Sequence, residues 1–251
     1  VGEYGQFCPV AKAAEILDER WTMLVVRELV AGSSGFSDIH RGVPRMSRTL
    51  LSRRLKALTR HGLVHRQLTA DGPRYRLTDC GRELADVIDA VGRWGIRWMS
   101  SLSEGDLDPA LLVWDMHRRV DTSRVPATRT VVEVGFPDVP ADLRAWWLVI
   151  TPDEVDVCDS DPGFGTDLRI EGPIRTLARV WRGDVGWDDA LRAGRLTLTG
   201  PTPLRRGARS WFRLSPFAPT PRPARRPAGA TGAGDDAHDR LRSGLSATSS
   251  P

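Results

Sequence analysis

Residues 45–64 read "RMSRTLLSRRLKALTRHGLV", and the fold of the first hundred residues turns on them. Leu51, Leu55 and Leu58 recur at spacings of four and three, the stripe of an amphipathic helix. Ser47 stands where an N-cap belongs, and Gly62 where a helix stops. The opposite side is crowded with arginine. Seen alone, such a face is more often solvated than bound to a partner, so its neighbours must decide.

Upstream, residues 9–31 carry two helical patterns. "VAKAAEIL" places Val10, Ala13, Ala14 and Leu17 on one face. "RWTMLVVRELVAG" sets Trp21, Leu24, Val25, Glu28 and Leu29 at spacings of three and four, ending at Gly32. "FSDIHR" at 36–41 makes one or two turns, closed by Gly42 and Pro44. Downstream the period changes to two. "LVHRQLT" and "RYRLTD" are short strands joined by the turn "ADGP". Asp79 then caps a long helix through about Met99, with Leu84, Val87, Ile88, Val91, Trp94 and Trp98 as its apolar positions. Four helices, a hairpin and a helix are the order of a winged helix-turn-helix.

Charge supports this placement. Residues 1–100 carry a net +5, residues 101–214 carry −3, and the tail carries +2. Between 41 and 76 there are ten basic residues and one acid, Asp71. Arg66, Arg74 and Arg76 put a basic hairpin beside the basic helix. A helix start rich in Ser, Thr and Arg supplies the hydroxyls, N–H groups and guanidinium forks that grip phosphates and enter a major groove.

Three passages together, "CPVAKAAEILDERWTMLVVREL", "GFSDIHRGVPRMSRTLLSRRLKALTRHGLVHR" and "YRLTDCGREL", resemble the HxlR-type family of winged helix-turn-helix transcriptional regulators. The resemblance covers residues 8–98 and includes a buried Trp21 early in the second helix. It implies a cytoplasmic, sequence-specific, double-stranded-DNA-binding regulator that works as a homodimer, with Trp94 and Trp98 either in the dimer contact or packed within their own subunit. Ser47 is expected to cap the recognition helix, and Arg48, Thr49, Ser52, Arg53 and Lys56 to face DNA. Arg54 lies at the edge of that face. Ser37 and Arg41 are placed for phosphate, and Arg74 at the wing tip for backbone or minor groove. Cys8, just before a helix start, is a candidate redox sensor, the alternative being a small buried apolar side chain.

The remainder reads differently. Residues 101–126 form a helical linker with a helix from Pro109 to about Val120. From 127 the strands "TRTVVEVGF", "AWWLVIT", "EVDVCDS" and "DLRIEG" follow as successive antiparallel strands. "PIRTLARVWRG", "WDDALRAG" and "RRGARSWFRL" are helices, with the strand "RLTLTG" before the last. The cadence of "DLRIEGPIRTLARVWRGDVGWDDALRAGRLTLTGP" resembles sterol-carrier-protein-like domains, which implies an apolar small-molecule ligand. Trp146, Trp147, Trp181, Trp187, Trp211 and Phe212 could line such a pocket or fill the core. The fold expected is therefore α+β: a winged helix-turn-helix (1–100), the linker, a small sterol-carrier-like α+β domain (127–214) and a disordered Pro-, Ala- and Gly-rich tail (215–251).

Other chemistries find little footing. Cys8, Cys80 and Cys158 are too sparse for a disulfide framework or a zinc site. His61 and His65 are separated by Gly62 and lack an acid companion, so no metal site is expected, and no cofactor. No Ser-His-Asp elbow or Gly-rich phosphate loop marks an enzyme, and no catalytic residue is assigned. The N-terminus lacks the basic-then-apolar pattern of a secretory signal, and no apolar run is long enough to insert into a membrane. The competing reading is a small-molecule or lipid carrier whose basic domain is an accessory.

Overall fold

A computed structural model describes residues 3–99 and 101–223. Helices α1 (Pro9–Leu17), α2 (Thr22–Val30), α3 (Phe36–Arg41) and α4 (Arg48–Arg60) precede the hairpin β1 (Val64–Thr69) and β2 (Gly72–Leu77), and α5 (Asp79–Trp98) follows. The first core forms where their stripes meet. Val25, Val26, Ile39, Leu51, Leu55 and Leu58 are all sealed from solvent. Burying one such side chain contributes about 1.5–3 kcal/mol, so the leucine stripe is the main tie between α4 and this core. The hairpin is pinned by Tyr75, whose N–H donates to the Ser34 carbonyl at 2.8 Å.

Several local expectations shift. Thr78, not Asp79, caps α5, its hydroxyl accepting from the Gly81 N–H at 3.0 Å. Trp21 is half-buried and precedes α2 with a left-handed φ of 79°. That conformation turns its ring to the rim of the core rather than into it. Leu24 and Val10 point outward, and no residue of α1 is fully buried.

The second core belongs to a five-stranded sheet of β3 (Thr130–Gly135), β4 (Ala145–Ile150), β5 (Val155–Cys158), β6 (Leu168–Glu171) and β7 (Thr197–Thr199), in the order β5-β4-β3-β6-β7. The strands are not all antiparallel. β6 crosses back to the far side of β3 and pairs with it in parallel, Val132 opposite Leu168 and Val134 opposite Ile170. A chain that returns beside its own earlier strand after a hairpin can take either direction, and strand texture does not reveal which. Residues of α6 (Pro109–His117), α7 (Ile174–Trp181), α8 (Trp187–Arg192) and α9 (Thr202–Trp211) pack with Val132, Val134, Leu148 and Ile170 in this core. The last helix begins three residues earlier than its apolar pattern suggests, because Pro203 suits a helix's first turn.

The stretch expected to be a linker is a structural element. α6 is apolar nearly all round: Leu112, Val113 and Met116 enter the second core, while Trp114 turns toward α2 and α3. Residues 215–220, expected within a disordered tail, also fold. The Ser215 N–H donates to the Trp181 carbonyl at 3.0 Å, and the Phe217 ring fills the space beside Gly92 of α5, where any Cβ would overlap it. The rest of that tail, from 224, lies outside the described residues.

One carboxylate joins the halves. Glu28 of α2 is fully buried. It accepts from Arg27 at 2.7 Å, Ser33 at 3.2 Å, Arg118 at 3.0 Å and the Trp114 indole at 3.4 Å. Gly42 sits against it, leaving no room for a Cβ. Substituting Glu28→Ala leaves the Arg27 guanidinium without its carboxylate, Arg118 with Asp115 alone, and the Trp114 and Ser33 donors without their acceptor. The expected loss is about 3–5 kcal/mol, read from urea unfolding of the full chain; a loss under about 1 kcal/mol contradicts this account.

His117, at the end of α6, stacks on Trp114 with ring centroids 4.0 Å apart and bonds through Nδ1 to the Trp114 carbonyl. Burial holds its imidazole down at about 4, against the pull of that hydrogen bond, and the positive charges of Arg118 and Arg41 add to the depression. The unfolded chain therefore takes up a proton near pH 6.5 that the folded chain refuses until about pH 4. Stability should be complete above about pH 6.5 and fall as pH drops toward 4. Urea midpoints at pH 7 and pH 5 should differ less in His117→Phe than in the parent; equal differences exclude His117 as a source.

Candidate nucleic-acid interface

Ser47 begins the basic helix as expected, its hydroxyl accepting from the Leu50 N–H at 3.3 Å. With Leu51, Leu55 and Leu58 fixed inward, the helical period turns Thr49, Arg53, Lys56 and Arg60 straight outward, and all four are exposed. Arg60 was not among the expected residues. Its signal was present in the 49-53-56-60 spacing, which repeats four, three, four on the face opposite the leucines. Arg48 and Ser52 lie on the flank. Arg48 is exposed with its guanidinium 5.2 Å from the Phe36 ring centre, and Ser52 is half-buried.

Arg54 is on the other flank, where it pairs with Glu19 and donates through Nε to the Arg20 carbonyl at 3.2 Å. It braces the α1–α2 turn and is turned away from the outward face. Two further placements differ from expectation. Arg74 is not at the wing tip. It pairs with Gln67 partway along the hairpin, forms a bridge to Gly35, and its guanidinium lies 3.8 Å from Asp38 of α3. The turn itself is Ala70–Asp71, because the hairpin closes at Thr69 opposite Gly72. Arg41 is exposed, but its guanidinium lies 5.3 Å from the Trp114 ring centre and 4.0 Å from Asp38. Ser37 is exposed on α3.

The electrostatic balance of the surface follows from these pairings. Among the described residues, Arg53, Lys56 and Arg60 on α4 and Arg66 and Arg76 on the hairpin have no carboxylate within ion-pair distance. Arg54, Arg41 and Arg74 do. On this surface the uncompensated charge runs along the outward line of α4, takes in Arg48 on its flank, and continues on the hairpin. Cys8 caps α1, half-buried, between the fully exposed Phe7 and Pro9. Among the described residues no cluster of His, Cys, Asp and Glu could hold a metal ion, and no helix is long and apolar enough to cross a membrane.

A family model described as HxlR-like helix-turn-helix matches residues 16–103. The HTH-type transcriptional regulator YvaP of Bacillus subtilis is 38% identical over 98 residues, which are 38% of this chain and 91% of the relative. The chain belongs to the HxlR-like helix-turn-helix family. A second relative, an HTH-type transcriptional regulator of Mycobacterium tuberculosis, is 37% identical over 95 residues, 36% of this chain and 58% of its own length. Of solved structures, the reduced form of the transcriptional regulator YodB from B. subtilis is similar at 29% identity and a TM-score of 0.33, over 37% of this chain and 95% of that one. Each of these matches covers less than two fifths of the HxlR-like chain.

If the outward line of α4 neutralises phosphates, removing one charge should lower the salt dependence of duplex binding by about one unit of slope. Arg53→Ala and Lys56→Ala should each do so, and Arg54→Ala should not, since Arg54 is already paired. Fluorescence anisotropy on one duplex from 50 to 300 mM salt, on the order of the range where such slopes are read, separates them. Equal slopes for all three variants would sink the assignment.

Proposed function

We propose that the chain is a DNA-binding transcriptional regulator that reads a duplex with α4 and supports it with the hairpin. The observation that carries this is the line Thr49, Arg53, Lys56 and Arg60, opposite a sealed leucine stripe and without carboxylate partners. Ser47 and the free N–H groups of α4 bind phosphate at the helix start. Arg48 and Ser52 contact DNA from the flank, and Ser37 touches backbone from α3. Arg41 and Arg74 are held near Asp38, so their share is to position α3 and the hairpin beside the groove. Arg66 and Arg76 take the wing contact. Phosphate contacts supply affinity and base contacts supply specificity.

The regulator works as a homodimer. On α5, Val87, Val91, Trp94 and Trp98 are all exposed, both tryptophans at 56%. Their spacing of four, three and four is that of a helix–helix seam. Tyr4, Phe7 and Val10 add exposed apolar surface on and before α1. Cys8 lies within that surface, so modification of its thiol would act on assembly. The second half is a sterol-carrier-like domain that answers an apolar ligand, supported by its mixed sheet and the cadence of 167–201 around Trp181 and Trp187. Trp211 and Phe212 fill its core, and Trp181 is buried there with one edge toward α2 and α5, so of these rings Trp181 is the one placed to meet a ligand.

Footprinting on the region upstream of its own gene tests the reading. The expected result is a roughly palindromic protected site with half-sites about one helical turn apart, preferred by about 10³ or more over random duplex. Trp94→Asp with Trp98→Asp should give a monomer by light scattering and lose the preference. Maleimide on Cys8 should weaken the dimer, and an unchanged dimer rejects the thiol role. Weak binding equal for every duplex favours the carrier reading.

A further inference from the structure

The two cores face each other across a cleft of about 580 Å³, between α2 and α5 on one side and α6, α7 and residues 215–217 on the other. Its size is that of sites that enclose small organic molecules. Val30, Ala31, Ala85, Ile88, Trp181 and Phe217 give it an apolar wall. The charged groups around that wall are almost all engaged. Glu28 is held by Arg27 and Arg118, Asp115 lies 3.2 Å from Arg118, and Asp89 pairs with Arg93 outside the cleft.

Arg119 differs. Its Nε donates to the Leu214 carbonyl at 3.1 Å, and among the described residues no carboxylate lies within ion-pair distance of it. With Asp89 assigned to Arg93, the cleft holds Arg27, Arg118 and Arg119 against Glu28 and Asp115, a net excess of one positive charge.

We infer that this cleft is a binding site for a small organic monocarboxylic acid, its apolar body against Ile88, Trp181 and Phe217 and its carboxylate on Arg119. A guanidinium with a free edge in a partly desolvated site is suited to that group. An acid bound there touches both halves of the chain. α5 gives Ala85 and Ile88 to the cleft and Val87, Val91, Trp94 and Trp98 to the outer seam. Occupancy therefore shifts duplex affinity if the DNA-bound and free states differ in affinity for the acid. That consequence rests on the regulator reading, while the binding itself does not.

Calorimetric titration of the full chain with 2-naphthoate and octanoate, each against its matching alcohol, tests the site. At least one acid should bind at one per chain and at least about tenfold tighter than its alcohol, as one charge-assisted contact provides. Arg119→Gln should remove that difference. Ala85→Phe, which places a ring in the cleft, should weaken the acid about tenfold or more. If Ala85→Phe does not fold, Arg119→Gln decides. Failure of both acids to bind, equal binding of acid and alcohol, or an unchanged ratio in Arg119→Gln overturns the site. Duplex preference measured without any acid separates the two readings. Its loss with acid binding intact rejects the regulator, and its presence without acid binding rejects the cleft alone.

Discussion

Glu28 lies on α2 with its carboxylate sealed from water, and donors from four places in the chain converge on it: Arg27, Ser33, Trp114 and Arg118. Taking a carboxylate and guanidinium groups out of water costs several kcal/mol per ion, and their attraction offsets this only when the remaining lone pairs are also satisfied. That condition makes the cluster all-or-nothing. Trp114 and Arg118 arrive from α6, some ninety residues downstream, so the carboxylate is fully satisfied only when the second half is docked. Gly42 has to be glycine for the same reason, since the carboxylate occupies the volume of its absent Cβ. The turn between α3 and α4 is thus shaped by a charge whose partners lie in the other core, and α4 takes its starting point from that turn.

The α4 surface shows a second constraint, a division of arginines by pairing rather than by position in the sequence. Arg53 and Arg54 are adjacent, yet a 100° turn per residue sends one outward and the other onto Glu19. Surface ion pairs contribute little to stability, but a pair does remove a charge from the set available to a phosphate backbone. Asp38 is shared between Arg41 and Arg74 and so offsets one of their two charges; the two arginines meet there because α3 packs beside the hairpin. The basic surface is therefore narrower than the composition suggests, and it runs along one line of one helix and out onto the strands.

Local pattern made much of this legible. Ser47, the leucine stripe and Gly62 set α4, and a change of period at Leu63 set the hairpin, because capping and periodicity act within a few residues. Contacts between distant segments were not legible. The stretch "ADGP" reads as a four-residue turn with Arg74 at its tip, whereas β2 starts at Gly72 and puts Arg74 opposite Gln67. The parallel pairing of β3 with β6 depends on where the chain returns, which strand texture does not encode. Glu28 is the instructive case. It fell on the apolar stripe of its helix, and an acid on a buried stripe demands a partner. The sequence made the demand visible but offered no means to find Arg118.

The α6 helix explains why the second half cannot behave as a bead on a string. A linker helix needs one apolar face at most, and α6 has two, with Leu112, Val113 and Met116 in one core and Trp114 on the Glu28 carboxylate. Phe217 repeats the connection from the other end of the domain by packing on Gly92 of α5. A rotation of the second half would break contacts at both places together, because close-packed interfaces have discrete arrangements rather than a continuum. Any ligand that favours one arrangement would then act on α3 through Arg41 and Trp114 and on α5 through Gly92 and Phe217. α3 leads by a short turn into α4, and α5 carries the exposed line of Val87, Val91, Trp94 and Trp98, so a small change in the second half has a short mechanical path to both surfaces.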